Sequence, residues 1–327
     1  MTPETQHNMK YRYCGYSGLE LPAISLGFWH NFGYGDFYNV GESICRRAFD
    51  LGITHFDLAN NYGPPAGAAE ERFAQIFKHN FEAHRNQMVI TTKAGYTMWD
   101  GPYGSGSSKK YLIASLENSL KTLGLDYIDI FYSHRYDENT PIEETMEALD
   151  QIRRQGKALY VGISSYDVEK TWQAVESIRT MGSRLLVHQP SYSMFDREIE
   201  DGLTDVLRQT GMGCVCYSPL AQGLLTDRYL AGIPDASRAA RDIFLKRESI
   251  TREIVAKVEA LHKIALGRGQ SLAQMALQWV LRDDVVTSAL MGVSKVSHVE
   301  SNVAALEAAP LSSEELQQID AVLGRRS

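Results

Sequence analysis

The chain has 327 residues, of which 44% are hydrophobic and 22% are charged, with a formal net charge of −7 and a pI near 5.8. This composition is typical of a globular protein. The negative charge argues against a nucleic-acid partner and against binding to an anionic membrane surface. No apolar run approaches the ~18 residues that a membrane-spanning helix needs, and residues 1–10 do not have the pattern of a signal peptide.

Four cysteines occur in the sequence, at Cys14, Cys45, Cys214 and Cys216. A chain of this length can bury a hydrophobic core without the help of disulfides. The Cys214-x-Cys216 spacing has no matching Cys or His pair that would complete a zinc site. We therefore expect four reduced thiols, no metal and a cytoplasmic location.

The first elements in chain order are those of a small β-hairpin over residues 11–22, with a turn at Ser17-Gly18. Eight short apolar runs follow, most of them rich in Val, Ile, Tyr or Phe, and these compositions predict strands. The runs span residues 23–27, 54–59, 88–93, 127–133, 158–164, 185–189, 213–218 and 286–292. Amphipathic patterns between the runs predict helices, for example over residues 108–123 and 141–155.

This alternation of strands and helices predicts a parallel sheet covered by helices, and eight units is the number that closes a (β/α)₈ (TIM) barrel. A doubly wound open sheet is the alternative, but the sequence lacks the Gly-x-Gly-x-x-Gly turn that such a fold would favour. No repeat or linker divides the chain, so we expect one domain over residues 1–327. The connections at residues 94–107 and 219–250 are long, and long connections are usually functional or mobile.

Polar residues stand at the carboxyl ends of the predicted strands, which is where barrels of this type carry their chemistry. In chain order they are Asp57, Asn60, Asn61, Tyr62, Lys93, His134, Ser164, Ser165, Gln189, Tyr217, Ser218, Gly292 and Ser294. A charged amine at a barrel rim needs a partner, and Asp57 is the natural partner for Lys93.

Four of these residues have the chemistry that carbonyl reduction by a nicotinamide requires. Tyrosine is a weak acid at pH 7, but a neighbouring ammonium group favours the phenolate, so Lys93 would make Tyr62 a better proton donor. Asp57 would hold Lys93, and His134 would hydrogen-bond the carbonyl oxygen. Each residue alone has a structural explanation, as a turn residue, a packing aromatic, a solvated lysine or a rim histidine. Their joint occurrence at one end of successive strands predicts a catalytic group.

A separate phosphate-binding signal follows the last predicted strand at residues 292–295, Gly-Val-Ser-Lys, where a helix opens. Barrels often bind phosphate here with backbone N–H groups and the helix N-terminus. Ser294 and Lys295 would reach a ribose 2′-phosphate, which favours NADP over NAD; the alternative is an ordinary helix cap with a surface lysine. The glycine-rich residues 101–108 are more typical of a lid than of a phosphate cradle.

Five segments of the sequence resemble the aldo-keto reductase superfamily, at residues 52–62, 90–93, 127–134, 161–165 and 217–223. The resemblance extends from about residue 11 to about residue 324. It is to the branch of bacterial L-glyceraldehyde 3-phosphate reductases, which is related to potassium-channel β-subunits. Residues 60–65, 99–106 and the pair His30-Asn31 point to the reductase side of that branch.

The resemblance implies a (β/α)₈ barrel with an N-terminal hairpin, an extra C-terminal helix, and NADPH lying across the strand ends. It implies a catalytic tetrad of Asp57, Tyr62, Lys93 and His134. It also implies cofactor contacts at the nicotinamide, the pyrophosphate and the adenosine. The nicotinamide contacts are Trp29, Ser164, Ser165, Gln189 and Tyr217. The pyrophosphate contacts are Ser218, Leu220, Gln222, Arg228 and Arg238. The adenosine contacts are Gly292, Ser294, His298 and Asn302, with Lys295 beside them. The sequence departs from the family at His298, where relatives often carry Gln or Arg, and at Ser301, where they carry Glu.

We expect an enzyme that reduces short polar aldehydes of the L-glyceraldehyde 3-phosphate or methylglyoxal type, with Lys109 and Lys110, or His30-Asn31, as candidate phosphate contacts. Relatives in this branch imply a homo-tetramer or homo-octamer. A nicotinamide-binding regulatory subunit of a membrane protein is the alternative, but the channel subunits carry Asn at the position of His134. A sugar-phosphate isomerase is a third reading, and it would leave Tyr62 and Lys93 without a role.

Overall fold

A computed structural model describes residues 9–227 and 250–324. Within them, eight parallel strands close a barrel in the order β10-β3-β4-β5-β6-β7-β8-β9, and β1 and β2 form an antiparallel hairpin. The strands are β1 Tyr11–Tyr13, β2 Glu20–Pro22, β3 Ile24–Gly27, β4 His55–Asp57, β5 Val89–Ala94, β6 Ile128–Ser133, β7 Ala158–Ser164, β8 Val187–Gln189, β9 Gly213–Cys216 and β10 Val286–Met291. The predicted (β/α)₈ barrel and the hairpin are confirmed. The predicted cofactor contacts Arg228 and Arg238 lie outside the described residues.

Helices follow the barrel strands and pack around them, so each strand is covered on its outer side. They are α1 Tyr38–Asp50, α2 Ala68–Asn80, α3 Lys109–Leu123, α4 Ile142–Arg154, α5 Val168–Thr180, α6 Leu203–Thr210, α7 Arg252–Gly267, α8 Leu272–Val280, α9 Val296–Val303 and α10 Ser313–Leu323. The C-terminal helix α10 packs against α7. In the described part of the chain, no helix is both long enough and apolar enough to cross a membrane.

Local capping determines where α3 begins and ends. The Ser108 side chain accepts a hydrogen bond from the backbone N–H of Tyr111 at the N-terminus, which satisfies one of the free donors of the first turn. Gly124 ends the helix with a φ of 68°, a left-handed conformation that glycine adopts without steric cost. Because α3 follows β5 in the parallel barrel, its N-terminus stands at the carboxyl-end rim.

The hairpin covers the opposite, amino-terminal end of the barrel. Leu21 and Cys14 are buried there among side chains that include Ile130 and Val215. The guanidinium of Arg12 donates to the backbone oxygens of Leu281 and Val286, at 2.9 and 2.7 Å, and ties the hairpin to the start of β10. The hairpin thus covers the end of the barrel opposite to the carboxyl-end rim, where barrels of this type carry their chemistry.

All four cysteines lie in the described part of the chain, and all four are free and buried. Burial raises the pKa of the Cys14 and Cys216 thiols to about 12. Four reduced thiols remain a prediction, and in the structure these side chains behave as small apolar groups. Within residues 9–227 and 250–324, no three His, Cys, Asp or Glu side chains are grouped as a metal ion would require.

A buried carboxyl group lies between the barrel and its helices. Glu70 of α2 is 3% exposed and accepts hydrogen bonds from the hydroxyls of Thr92, at 2.6 Å, and Ser119, at 3.1 Å. Burial raises the pKa of Glu70 above its ordinary value, because a carboxylate is poorly solvated here. The folded protein therefore tolerates the ionised form at a cost.

Replacing this carboxyl group should stabilise the fold at neutral pH. Glu70→Gln keeps the shape and hydrogen-bonding capacity without the charge, so we expect the free energy of unfolding at pH 7 to rise by about 1 kcal/mol. Since the folded-state pKa is raised, the penalty is present above it and disappears as the pH falls below the ordinary value of about 4.3. Denaturant unfolding at pH 7 and pH 4 measures this, with the exposed neighbour Glu71→Gln as control. A loss of stability in Glu70→Gln would mean that the carboxylate's hydrogen bonds outweigh its burial.

Candidate active site

A buried ion pair lies at the carboxyl ends of β4 and β5. Lys93 Nζ is 2.6 Å from Asp57 Oδ2 and also donates to the backbone oxygen of Leu58 at 2.6 Å. Both side chains are almost fully buried. Asp57 is paired with Thr91 in the strand register, so Lys93 stands two residues further along β5, on the same face. The predicted pairing of Asp57 with Lys93 is present.

Tyr62 lies in the loop after β4, close to this ion pair. Its hydroxyl is 3.3 Å from Lys93 Nζ, and Nζ is 4.8 Å from the centre of its ring. The ring of His134, directly after β6, contacts the Tyr62 ring edge to face at 5.7 Å between centroids. The structure thus brings together all four residues of the predicted catalytic group, which come from loops and strands up to 77 positions apart in the sequence.

The pKa of Tyr62 differs from our expectation. We expected the Lys93 ammonium to lower it, but burial raises the pKa of Tyr62 well above its ordinary value, and the Asp57 carboxylate raises it further. The physical reason is that Asp57 neutralises Lys93 at short range, so desolvation of the phenolate dominates. Burial also lowers the pKa of Lys93, while Asp57 raises it. Tyr62 is consequently a fully protonated phenol at neutral pH.

His134 is held as a neutral imidazole. Burial lowers its pKa well below its ordinary value, and the charges of Lys93 and Arg135 lower it further. Its ring lies between those of Tyr62 and Tyr96, and the Tyr96 ring contacts it edge to face at 4.8 Å. The buried Nδ1 atom has no hydrogen-bond partner among residues 9–227 and 250–324. A neutral imidazole can donate one hydrogen bond to a carbonyl oxygen.

A chain of polar side chains runs through the barrel interior to Asp57. The Ser288 and Ser25 hydroxyls are 2.6 Å apart, and Ser25 Oγ is 2.8 Å from His55 Nδ1. His55 Nε2 is 3.3 Å from Thr91 Oγ1, which donates to Asp57 Oδ1 at 2.7 Å. Because the ionised Asp57 only accepts, Thr91 must donate to it, and each earlier member must then donate toward the carboxylate. The chain fixes His55 as the Nε2–H tautomer, and burial lowers the pKa of His55 to about 4.

Sequence reasoning missed this chain, although a signal for it was present. His55 stands two residues before Asp57, and Thr91 stands two residues before Lys93. In a strand, residues two apart share a face, so both point into the barrel with the catalytic candidates. A polar residue at this spacing within an otherwise apolar barrel strand is the pattern that could have revealed it.

The predicted nicotinamide contacts form a connected group beside the tetrad. Ser164 donates to the backbone oxygen of Gln189 at 2.8 Å, and Gln189 Nε2 donates across the barrel mouth to Asp57 Oδ1 at 3.1 Å. The Tyr217 and Ser165 hydroxyls are 3.3 Å apart at the same rim. Trp29, after β3, stacks on His30 with ring centroids 4.3 Å apart. A flat group placed beside Tyr217 would therefore border Asp57 and Tyr62.

Backbone strain is concentrated at this rim. Among the described residues, five that are not glycine have left-handed φ angles between 46° and 72°. All lie in loops after barrel strands, and they are Asn31, Ser165, Ser218, Ala221 and Gln222. Such conformations cost energy and occur mainly at functional sites. Three of the five are predicted cofactor contacts, and Gln222 Oε1 is buried without a hydrogen-bond partner in residues 9–227 and 250–324. Leu220, also predicted, is half-buried against the core.

The predicted phosphate-binding turn lies between β10 and α9. Gly292, Ser294 and Lys295 are exposed there, and Lys295 is the residue that precedes the first turn of α9. His298 Nδ1 is 3.5 Å from Ser294 Oγ. Asn302 is placed differently, since it is buried and its amide nitrogen contacts Met291 Sδ at 3.3 Å. The backbone of the turn and the side chains of Ser294 and Lys295 are therefore accessible to an anion, and Asn302 is buried beneath them.

The loop after β5 packs on itself and on α3. Trp99 packs against Tyr111, whose hydroxyl donates to the backbone oxygen of Tyr96. At the far end, Asp137 accepts a hydrogen bond from the Ser107 N–H at 2.9 Å. These contacts fix both ends of the loop beside His134.

Three of the expected phosphate contacts have other partners. Lys109 Nζ is 3.7 Å from a Glu147 carboxylate oxygen, and Lys110 Nζ lies 5.1 Å above the Tyr103 ring. Asn31 donates its side-chain amide to the backbone oxygen of Val293 at 2.8 Å. Asn31 thus joins the loop after β3 to the turn after β10.

A closed parallel barrel with a lysine, a carboxylate and a tyrosine at its carboxyl-end rim defines a class of barrel oxidoreductases. The family model described as the aldo/keto reductase family matches residues 23–323, so the chain belongs to that family. It is 54% identical over 323 residues to the L-glyceraldehyde 3-phosphate reductase of Escherichia coli strain K12, covering 97% of this chain and 93% of that one. The resemblance inferred from the sequence is confirmed.

Two further similarities fit this assignment. A probable voltage-gated potassium channel subunit beta of Oryza sativa subsp. japonica is 33% identical, with 96% of this chain and 97% of that one covered. Among solved structures, the holo form of an aldo-keto reductase from Bacillus halodurans matches with a TM-score of 0.77 and 27% identity, over 96% of each chain.

Proposed function

We propose that the protein is an NADPH-dependent reductase of short aldehydes. The observation that carries the proposal is the Tyr62 hydroxyl 3.3 Å from Lys93 Nζ, whose charge is held by Asp57 at 2.6 Å, with a neutral His134 beside the same hydroxyl-bearing ring. A protonated phenol, a buried cation and a neutral imidazole are the groups that a carbonyl reduction needs around the oxygen atom.

NADPH, when bound, supplies two electrons and a proton as hydride to the carbonyl carbon. Tyr62 gives its phenolic proton to the carbonyl oxygen as that oxygen gains negative charge, and the product is an alcohol. The raised pKa of Tyr62 keeps the proton in place until the much more basic alkoxide develops. The Tyr62 phenolate left behind lies beside the Lys93 ammonium, which stabilises it until solvent returns a proton. His134 orients the carbonyl oxygen by one hydrogen bond.

The cofactor is proposed to lie from Tyr217 to the turn after β10. Ser164, Ser165 and Gln189 would meet the carboxamide end. The Ser164 hydroxyl contacts the Ser165 hydroxyl and the Gln189 backbone oxygen, and the Gln189 side chain donates to Asp57. Ser218, Leu220 and Gln222 would follow the pyrophosphate, and the left-handed backbone and the partnerless Gln222 Oε1 support this position. The adenosine phosphate would then meet Ser294 and Lys295 at the helix N-terminus.

The direct test follows NADPH oxidation with a panel of aldehydes, including glyceraldehyde, its L-3-phosphate and methylglyoxal. We expect short polar aldehydes to be reduced and bulky aromatic ones to react more slowly. If NADPH binds but no aldehyde is reduced, the regulatory-subunit alternative becomes the better account. If no nicotinamide binds at all, the isomerase alternative returns.

The preference for NADPH over NADH should depend on Lys295. Removing the ammonium with Lys295→Ala should weaken NADPH binding by roughly tenfold, the effect of one lost charge-assisted contact, and leave NADH binding nearly unchanged. Fluorescence titration of the two cofactors measures this. Lys257→Ala, which removes a half-buried lysine from α7 and its pair with Glu253, is the matched control. Equal losses for both cofactors, or a native preference for NADH, would contradict the assignment.

A further inference from the structure

Arg135, directly after His134, is a half-buried cation at the mouth of the candidate site. Its Nε donates to the backbone oxygen of Gly95 at 3.1 Å, and its guanidinium carbon lies 5.1 Å above the centre of the Tyr96 ring. One hydrogen bond and one ring face therefore fix the plane of the guanidinium. The two terminal nitrogens are not used by either contact.

Among the described residues, no carboxylate forms a close ion pair with this cation, although its charge contributes to lowering the pKa of Asp137 two residues away. Across residues 9–227 and 250–324, Arg135 forms no ion pair within 4.0 Å, and its terminal nitrogens form no hydrogen bond. Two other half-buried arginines, Arg197 and Arg268, are paired with carboxylates. The acid two residues away, Asp137, is occupied by the Ser107 N–H and the Thr140 hydroxyl. An unpaired guanidinium that is partly removed from water is costly unless it meets an anion.

The cation is also electrostatically close to the reacting groups. Its charge contributes to lowering the pKa of His134. The Tyr96 ring on which it lies contacts the His134 ring at 4.8 Å between centroids, and Tyr96 contributes to raising the pKa of Tyr62 and of Tyr217. An anion bound to Arg135 would therefore stand beside the carbonyl position, and not at the turn after β10.

We propose that Arg135 binds the phosphate group of a phosphorylated short aldehyde, and so determines the preference for a phosphate ester. This inference rests on the proposed aldehyde reduction. In a three-carbon aldehyde phosphate, the phosphorus lies about 5 Å from the carbonyl carbon, a reach set by ordinary covalent geometry. The two terminal nitrogens can donate in parallel to two phosphate oxygens, which is the geometry that arginine provides and lysine does not.

This assignment replaces the lysines that the sequence suggested. Lys109 is paired with Glu147, and Lys110 lies over the exposed Tyr103 ring. Both are at the first turn of α3, where an added cation is unfavourable without an anion. By contrast, Gly95 and Tyr96 set the orientation of the Arg135 guanidinium, and neither contact uses its two terminal nitrogens.

The test measures kcat/KM for L-glyceraldehyde 3-phosphate and for glyceraldehyde, and takes the ratio. In Arg135→Leu we expect this ratio to fall at least tenfold, the loss of a bidentate charge-assisted contact. Arg135→Lys keeps the charge but loses the two parallel guanidinium donors, so its ratio should lie between those of Arg135→Leu and the wild type. Lys110→Leu removes another cation from the same rim and should leave the ratio as in the wild type. Equal losses on both substrates in Arg135→Leu, or a ratio that falls only in Lys110→Leu, would overturn the proposal.

A second readout does not depend on turnover. Calorimetric titration of glycerol 3-phosphate into the NADP⁺ complex should show binding that weakens at least tenfold in Arg135→Leu. If the wild type reduces no aldehyde but binds glycerol 3-phosphate through Arg135, the proposed function fails and the phosphate site stands. If aldehydes are reduced but binding is the same in Arg135→Leu, the phosphate site fails and the proposed function stands.

Discussion

Tyr62→Phe should lower kcat at least 100-fold while NADPH binding stays near that of the wild type. The substitution removes only the hydroxyl that is proposed to donate the proton, and general-acid catalysis typically contributes that factor or more. The ring, its edge-to-face contact with His134 and its position over Lys93 are kept. Single-turnover kinetics with glyceraldehyde measures the chemical step, and cofactor titration measures binding.

Tyr132→Phe is the matched control for this experiment. Tyr132 of β6 is a fully buried tyrosine whose ring centre lies 5.8 Å from Lys93 Nζ, so the same substitution removes a hydroxyl near the same cation. We expect it to keep most of the activity. A Tyr62→Phe enzyme with near-normal single-turnover rates would rule out Tyr62 as the proton donor. Equal losses in the two variants would point to a general effect of hydroxyls near Lys93.

Among the substitutions proposed here, Asp57→Asn should lower the free energy of unfolding most, and it should also abolish most of the activity. It leaves Lys93 fully buried without a counterion, and breaking a buried pair in this way costs about 3–5 kcal/mol. Burial already lowers the pKa of Lys93, and Asp57 opposes that shift. In the variant the folded state therefore favours the neutral amine, so the stability loss should be greatest at low pH and shrink as the pH rises toward the ordinary lysine value of about 10.4.

Removing both partners separates the charge from the packing. The double variant Asp57→Leu/Lys93→Met replaces the pair by apolar groups and should be more stable than Asp57→Asn, though equally inactive. Denaturant unfolding of the two variants at pH 6 and pH 9 makes the comparison. If Asp57→Asn unfolds as the wild type does at both pH values, Lys93 is not the buried, paired cation that the structure places here.

The fold was largely readable from local patterns. Most barrel strands are short runs rich in β-branched or aromatic residues, and the strand at residues 158–164 has the predicted bounds. The second barrel strand is shorter than predicted: it was predicted at residues 54–59, and the structure has His55–Asp57. Residues 58 and 59 are buried but lie outside β4. The Leu58 N–H still donates to the Thr91 backbone oxygen of β5, whereas the Leu58 carbonyl oxygen accepts a hydrogen bond from Lys93 Nζ. The Lys93 ammonium thus binds the Leu58 carbonyl oxygen, which the predicted strand would have used for hydrogen bonding within the sheet.

By itself, the sequence determined the order of strands and helices, and it predicted a site at the carboxyl-end rim with Asp57, Tyr62, Lys93 and His134, which the structure brings together. These follow from periodicity and from residue identity at strand ends, which are local properties. Only the tertiary structure decided which groups meet across the barrel, because closure brings Gln189 to Asp57 over 132 positions and aligns His55 with Thr91.

The tertiary structure also decided the electrostatics. Burial of the whole group reversed the expected pKa shift of Tyr62, since desolvation depends on every neighbour and not on the nearest charge alone. The same dependence on three-dimensional surroundings left Arg135 without a close ion pair among residues 9–227 and 250–324, while it paired Lys109 with the surface residue Glu147. Sequence spacing cannot show this difference, because whether a cation is free or neutralised depends on how neighbouring loops fold around it.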